Sequence, residues 1–78
     1  MNLPRISPIP GRRLRRVFER AGFVCVRMES DHYILTKRGL PRPLVIPDYD
    51  AVPVFVIRTN LRTAGMSREE YFRLLKET

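Results

Sequence analysis

Proline and glycine recur so often in this chain that every helix and strand in it must be short. Seven prolines and four glycines are spread over 78 residues. Proline lacks the amide hydrogen that helices and central strands use, and glycine ends helices or forms turns with positive φ. Pro4, Pro8 and Pro10 predict an irregular, partly extended Pro-rich arm over residues 1–10. Residues 11–78 are predicted to form a single small domain with a thin core.

The first element after the arm is predicted to be an amphipathic helix that begins at Gly11 and ends near Gly22. Its apolar positions follow the helical spacing i, i+3, i+4, i+7, and basic residues fill most of the other positions around the helix. The apolar stripe consists of Leu14, Val17, Phe18 and Ala21.

Three short strands are predicted next. Residues 23–29 and 33–36 are apolar segments joined by the tight turn Ser30-Asp31, which indicates an antiparallel hairpin. Residues 44–46 predict a third strand. Two prolines shortly before it either place that strand at an edge of the sheet or make it begin late, because proline cannot donate to a neighbouring strand.

Two helices complete the prediction. Pro53 suits the first turn of a helix that ends at Gly65. Ser67 and Glu70 form a capping box that begins a short C-terminal helix. The order α-β-β-β-α with a short last helix predicts an α+β fold, with a three-stranded antiparallel sheet and helices on one face. The same order occurs in double-stranded-RNA-binding domains.

The positive charge is confined to the N-terminal half of the chain. Residues 1–42 contain ten Lys or Arg and three Asp or Glu, whereas residues 43–78 contain five of each. The whole net charge of +7 therefore lies in the first half. A solvated surface would also carry charge, but this asymmetry favours an anionic partner such as nucleic acid.

Other classes of protein are disfavoured by the composition. One cysteine, Cys25, cannot form an internal disulfide, which fits a reducing cytoplasm. A single His and a single Cys give no set of metal ligands, so we expect neither a metal nor a cofactor. No apolar run is long enough to span a membrane, so we expect no membrane association. Cys25 and the four phenylalanines, Phe18, Phe23, Phe55 and Phe72, are predicted to be buried.

His32, the only histidine, is the candidate catalytic residue. Its imidazole can exchange a proton near neutral pH, and RNA carries its own nucleophile in the 2′-hydroxyl. On pattern alone, a structural histidine bonded to a backbone carbonyl is the commoner outcome. A second proton-transfer residue is left open between Asp31 and Tyr33, although neighbouring strand residues point to opposite faces.

Basic residues in two regions are the candidates for binding RNA phosphates. Arg12 and Arg16 are four residues apart and share one face of the predicted helix, so they rank first. Tyr33 and Tyr49 are candidates for stacking on bases, with ordinary packing favoured for Tyr33. The full set of RNA-binding candidates is Arg12, Arg13, Arg16, Lys37, Arg38 and Arg42.

Several segments, taken in order, are similar to the HicA toxins, also called YcfA-like proteins. They are LRRVFERAGFVCVR, SDHYIL, VIP and IRTNLRTAGMSREEYFRLL. Each segment alone is a weak signal, but their common order and spacing are specific. The resemblance covers roughly residues 11–75, which is nearly the whole predicted domain.

The resemblance implies an mRNA interferase, the toxin of a type II toxin–antitoxin system. Such a toxin is a cytoplasmic endoribonuclease with a double-stranded-RNA-binding-like fold, and a HicB-like antitoxin protein holds it inactive. The family's catalytic histidine corresponds to His32. Ser30 stands where the family usually has Gly, and Asp31 stands where it usually has Ser.

Two other classes of function remain open. In the first, the chain is a non-catalytic RNA-binding module, and the residues at positions 30 and 31 reflect lost activity. In the second, it is a general interaction domain whose basic face binds an acidic patch on a protein. Cleavage of RNA distinguishes the nuclease from both, and the salt dependence of RNA affinity distinguishes the two binding modules.

Overall fold

The structure is a computed structural model that describes residues 4–78, and it confirms the predicted α+β fold. Helix and strand order agrees with the prediction, with shifts of one or two residues at some ends. The elements are α1 (Gly11–Arg20), β1 (Val24–Glu29), β2 (His32–Thr36), β3 (Leu44–Pro47), α2 (Val54–Ala64) and α3 (Arg68–Lys76).

The sheet is antiparallel, with β2 in the centre and β3 at an edge, which is one of the two outcomes that the prolines predict. The β1–β2 register shifts between Cys25 and Arg27, so β1 contains a bulge. Asn60 of α2 is a buried polar residue, and its Nδ2 donates to the Val45 carbonyl of β3 at 3.3 Å. This bond satisfies a carbonyl of the edge strand, which would otherwise be open to another chain.

One face of the sheet carries the core. Alternate residues of β2 point to opposite faces, which places Tyr33 and Leu35 on the core side and His32 on the other. The N-terminal segment joins this core, since Ile6 and Ile9 are buried. The largest fully buried side chains are Tyr71, Phe18, Leu14, Leu35, Leu44, Ile46, Ile57, Val17 and Val52.

The predicted end of α2 and the predicted cap of α3 are confirmed, whereas Pro53 lies at the N-cap of α2 and not in its first turn. α2 follows Pro53 and ends at Gly65, which has a φ of 66° that glycine adopts without strain. The Ser67 hydroxyl accepts from the Glu70 amide at 3.1 Å, so the serine caps α3. No helix among residues 4–78 combines the length and apolar character needed to cross a membrane.

The predicted burial of Phe55 is wrong. Phe55 is 72% exposed, because it lies two positions before Ile57 on α2 and therefore about 200° around the helix from that buried residue. Phe18 and Phe23 are buried as predicted. Cys25 and Phe72 are partly buried and pack against the core.

Tyr71 generates a prediction about stability. Tyr71 belongs to α3, and its buried hydroxyl has no hydrogen-bond partner among residues 4–78. Burial raises the pKa of Tyr71 from 10.0 to about 12. The folded protein therefore retains this proton more tightly than the unfolded chain. The associated stability is complete below pH 10 and is lost as the pH rises towards about 12.

We expect Tyr71→Phe to raise the free energy of unfolding at neutral pH by about 1 kcal/mol, because it removes an unpaired buried hydroxyl. It should also reduce the loss of stability above pH 10. Urea unfolding across this pH range measures both effects, with the exposed Tyr49→Phe as the matched control. Equal pH dependence in the two variants would contradict the prediction.

Candidate functional site

His32 begins β2 directly after a strained hairpin turn. Ser30 and Asp31 have φ values of 48° and 63°, and both therefore adopt the left-handed conformation of a type I′ turn. The Ser30 carbonyl lies 2.8 Å from Nδ1 of His32. A carbonyl oxygen only accepts, so Nδ1 donates, and the lone pair of the neutral ring is on Nε2. This is the carbonyl bond expected of a structural histidine, and it also fixes the orientation and tautomer of the ring, with Nε2 as the unprotonated nitrogen.

The segment that follows β3 lies against this turn. Pro47 pairs with His32 across the sheet, and the Asp48 amide donates to the Asp31 carbonyl at 2.8 Å. The next residue, Tyr49, places its ring centroid 6.3 Å from that of His32, with 64° between the ring planes. The candidate histidine therefore has an aromatic neighbour from a distant part of the chain.

The N-terminus of α1 reaches the same place. The Gly11 amide donates to the Tyr49 carbonyl at 2.8 Å. A Cβ atom on residue 11 would overlap the Pro47 carbonyl oxygen, so only glycine permits this approach. The first turn of α1, including the exposed Arg12, is consequently close to the residues around His32.

Tyr33 ties the same segment to the core side of the sheet. Its hydroxyl donates to Oδ1 of Asp48 at 2.9 Å, and the Arg15 guanidinium lies 5.0 Å from its ring centroid. Burial raises the pKa of Tyr33, and the hydrogen bond to Asp48 raises it further. Tyr33 therefore stays neutral and faces away from His32. This arrangement favours a packing role over the proton-transfer role that was left open for it.

Arg15 contacts two partners within the fold. Besides stacking on Tyr33, it pairs with Glu19 at 3.1 Å, and this partner raises the pKa of the guanidinium. Arg12 differs, because none of the ion pairs among residues 4–78 includes it. Its positive charge also lies in the first turn of α1, where the helix dipole disfavours cations. Arg12 is thus an exposed cation, one residue after Gly11, that takes part in none of the described ion pairs.

Arg13 lies elsewhere, against the end of α3. Its guanidinium donates to the Leu75 carbonyl at 3.2 Å and to the Thr78 hydroxyl at 3.1 Å. A cation at a helix C-terminus stabilises the last carbonyls. The contacts of Arg13 therefore support a structural role rather than a place beside His32.

The remaining predicted cations are distributed over the surface. Arg16 is exposed one turn beyond Arg12 on α1. Lys37 follows β2, so it is five residues from His32, or about 17 Å along the strand. Its ammonium donates to the Ala21 carbonyl at 2.8 Å and lies 5.5 Å from the Phe23 ring. Arg38 and Arg42 are exposed near this opposite end of the sheet.

Sequence reasoning did not identify Arg15 and Asp48 as neighbours of the site. Asp48 resembles an acidic residue placed for a helix start, but α2 begins six residues later and its first turn contains no acidic residue. The actual partner of Asp48 is Tyr33, fifteen residues away. Only the pairing of β2 with β3 brings these two side chains together, and no local pattern indicates it.

Comparison with known proteins gives no relative. No protein-family model matches the sequence, and neither a search of curated proteins nor a search of solved structures finds a match. The similarity to HicA toxins therefore stays a prediction.

Among residues 4–78, no group of three or more His, Cys, Asp or Glu side chains is arranged to hold a metal ion.

The hairpin turn generates a second prediction about stability. Left-handed backbone costs about 1–2 kcal/mol for a residue with a Cβ atom. We therefore expect Ser30→Gly to stabilise the fold by about 1 kcal/mol, which raises the melting temperature by about 4–8 °C in a domain of this size. Thermal unfolding followed by circular dichroism measures the shift.

The matched control is Ser7→Gly, because Ser7 is exposed and has no positive φ. This variant should gain nothing, since glycine relieves no strain there and adds freedom to the unfolded chain. A lower melting temperature for Ser30→Gly would contradict the assignment of strain to the turn.

Proposed function

We propose that this protein is a metal-independent endoribonuclease that cleaves mRNA, the toxin of a type II toxin–antitoxin pair. The observation that carries the proposal is the geometry of His32. Its Nδ1 is bonded to the Ser30 carbonyl, and its Nε2 is left for proton transfer beside Tyr49 and the first turn of α1. The similarity of the sequence to HicA toxins supports the same activity.

The chemistry uses the nucleophile that RNA already contains. The 2′-hydroxyl attacks the adjacent phosphorus and loses its proton, and the 5′-oxygen leaves with a proton, which gives a 2′,3′-cyclic phosphate and a 5′-hydroxyl. A neutral His32 accepts a proton at Nε2, and a protonated His32 donates one. Arg12 is the cation that we assign to the charge on the phosphate, because it follows Gly11, whose amide bonds to the Tyr49 carbonyl, and no acidic side chain pairs with it in the described part of the chain.

The proposed partners follow from charge and from the sequence resemblance. A net charge of +7 attracts RNA and would equally attract an acidic protein. We assign that protein to the HicB-like antitoxin class, which would cover the basic surface and block RNA. The proposed compartment of both partners is the cytoplasm.

Substitution of His32 tests the proposal. His32→Asn retains an N–H group that can donate to the Ser30 carbonyl but removes the titratable Nε2. We expect cleavage of a labelled mRNA in EDTA to fall by about 10²–10⁴-fold, since a general acid or base contributes that much. Binding and thermal stability should stay close to those of the wild type.

Three outcomes of this assay are decisive. Cleavage by His32→Asn at the wild-type rate would overturn the assignment of His32. Loss of cleavage upon adding EDTA to the wild type would overturn metal independence. Binding of RNA by the wild type without any cleavage would support the non-catalytic RNA-binding module, with Asp31 beside the histidine as the first residue to exchange for serine.

Substitution of the neighbouring residues Arg12 and Arg13 should affect two different properties, RNA binding for Arg12 and stability for Arg13. Arg12→Ala should weaken RNA binding and reduce the slope of log affinity against log salt by about 0.7, the loss of one phosphate contact on a single strand. Arg13→Ala should leave that slope unchanged. It should destabilise the fold by about 1 kcal/mol, because the Leu75 carbonyl loses a charged donor.

Titration of a fluorescent RNA at several salt concentrations measures the slopes, and urea unfolding measures stability. The exposed Arg62→Ala on α2 is the control for removal of a positive charge elsewhere. If Arg12→Ala and Arg62→Ala reduce the slope equally, the charge of the whole protein attracts RNA and Arg12 is not a specific contact.

A further inference from the structure

Tyr49 differs from the other two tyrosines of the chain because its ring is open to solvent. Tyr33 and Tyr71 are buried, and their rings belong to the core cluster. Tyr49 is 50% exposed and lies outside that cluster. Its ring therefore contributes little to the stability of the core and is available to another molecule.

The backbone that carries Tyr49 is held rigidly although the ring is exposed. The Tyr49 carbonyl accepts from Gly11, and the amide of the preceding Asp48 donates to Asp31. The Asp48 carboxylate also accepts from the Tyr33 hydroxyl. Three hydrogen bonds thus connect this segment to α1, to the hairpin turn and to β2. An aromatic ring on such a support binds a ligand with little additional loss of conformational entropy.

The contact between the two rings is edge-on, not stacked. His32 meets Tyr49 with 64° between the ring planes. Half of the Tyr49 side chain is exposed, so ring surface is accessible to a flat ligand. The ring centroids are 6.3 Å apart, so a group bound to Tyr49 holds its attached atoms within reach of the imidazole.

We infer that Tyr49 is a stacking platform for an unpaired nucleobase, which places the neighbouring phosphodiester at His32 and makes single-stranded RNA the substrate. This inference rests on the proposed function and adds a base-binding subsite and a substrate class to it. Aromatic side chains stack on all four bases, so the platform selects an unpaired strand rather than a particular sequence.

A duplex does not fit this subsite. The bases of an A-form helix are stacked and paired, and such a helix offers its 2′-hydroxyls and phosphates to a protein rather than a free base face. The chain has the order of elements of double-stranded-RNA-binding domains, yet the exposed aromatic ring beside His32 favours an unstacked base. Fold order and site chemistry therefore indicate different substrates, and the site is the better guide to function.

Binding of an RNA that cannot be cut tests the platform separately from catalysis. The probe is a fluorescent single-stranded oligonucleotide with 2′-O-methyl riboses, in which the 2′-hydroxyl nucleophile is blocked. We expect Tyr49→Leu to weaken its binding about tenfold, and Tyr49→Phe to bind within about twofold of the wild type, since stacking needs the ring and not the hydroxyl. Phe55→Leu, which removes an exposed aromatic from α2, is the matched control and should bind like the wild type. The affinity for a duplex of equal length should be the same for the wild type and for each of these variants.

The outcomes separate this inference from the proposed function. Equal binding of the single-stranded probe by Tyr49→Leu and the wild type would overturn the platform, even if His32→Asn abolishes cleavage of mRNA. A preference of the wild type for the duplex would overturn the substrate class. Loss of single-strand binding in Tyr49→Leu would support the platform even if no variant cleaves RNA, and the proposed catalysis alone would then fail.

Discussion

The site depends on the hydrogen bonds that hold Asp48 against the β2 hairpin. Its amide bonds to the Asp31 carbonyl and its carboxylate accepts from Tyr33, so the end of β3 cannot move away from the turn. Gly11 joins α1 to the next residue through the Tyr49 carbonyl. Because these contacts connect α1, β2 and the end of β3, they bring His32, Tyr49 and Arg12 to one end of the molecule.

In two pairs of neighbouring residues, one residue stabilises the fold and the other is a candidate for the proposed chemistry. Arg13 stabilises the end of α3, while the adjacent Arg12 projects into solvent without an ionic partner in the described chain. Tyr33 lies in the core, while the adjacent His32 lies on the other side of β2. The periods of helix and strand produce both divisions, since neighbours lie about 100° apart on a helix and about 180° apart on a strand.

The structure also relates the turn to the orientation of the histidine. Left-handed backbone at Ser30 and Asp31 allows a two-residue hairpin and presents the Ser30 carbonyl to Nδ1. Neither residue is glycine, so the turn is strained. Strain of this kind persists where surrounding contacts hold it, and the bond from Asp48 to Asp31 is one such contact. The turn and the segment after β3 therefore depend on each other.

The sequence by itself determined the order of elements, the restriction of β3 to an edge position or a late start, and the cap of α3, because periodicity, proline and capping chemistry act over a few residues. It also indicated His32, since the chain has one histidine. Tertiary structure decided which cations lie near it. Arg12 lies beside the residues around the histidine, Arg13 packs on α3, and Lys37 lies at the far end of β2. The contacts of Asp48 with Tyr33, and of Gly11 with Tyr49, join residues far apart in the chain. Such contacts form only when strands pair and a helix packs on them, so no local pattern in the sequence could predict them.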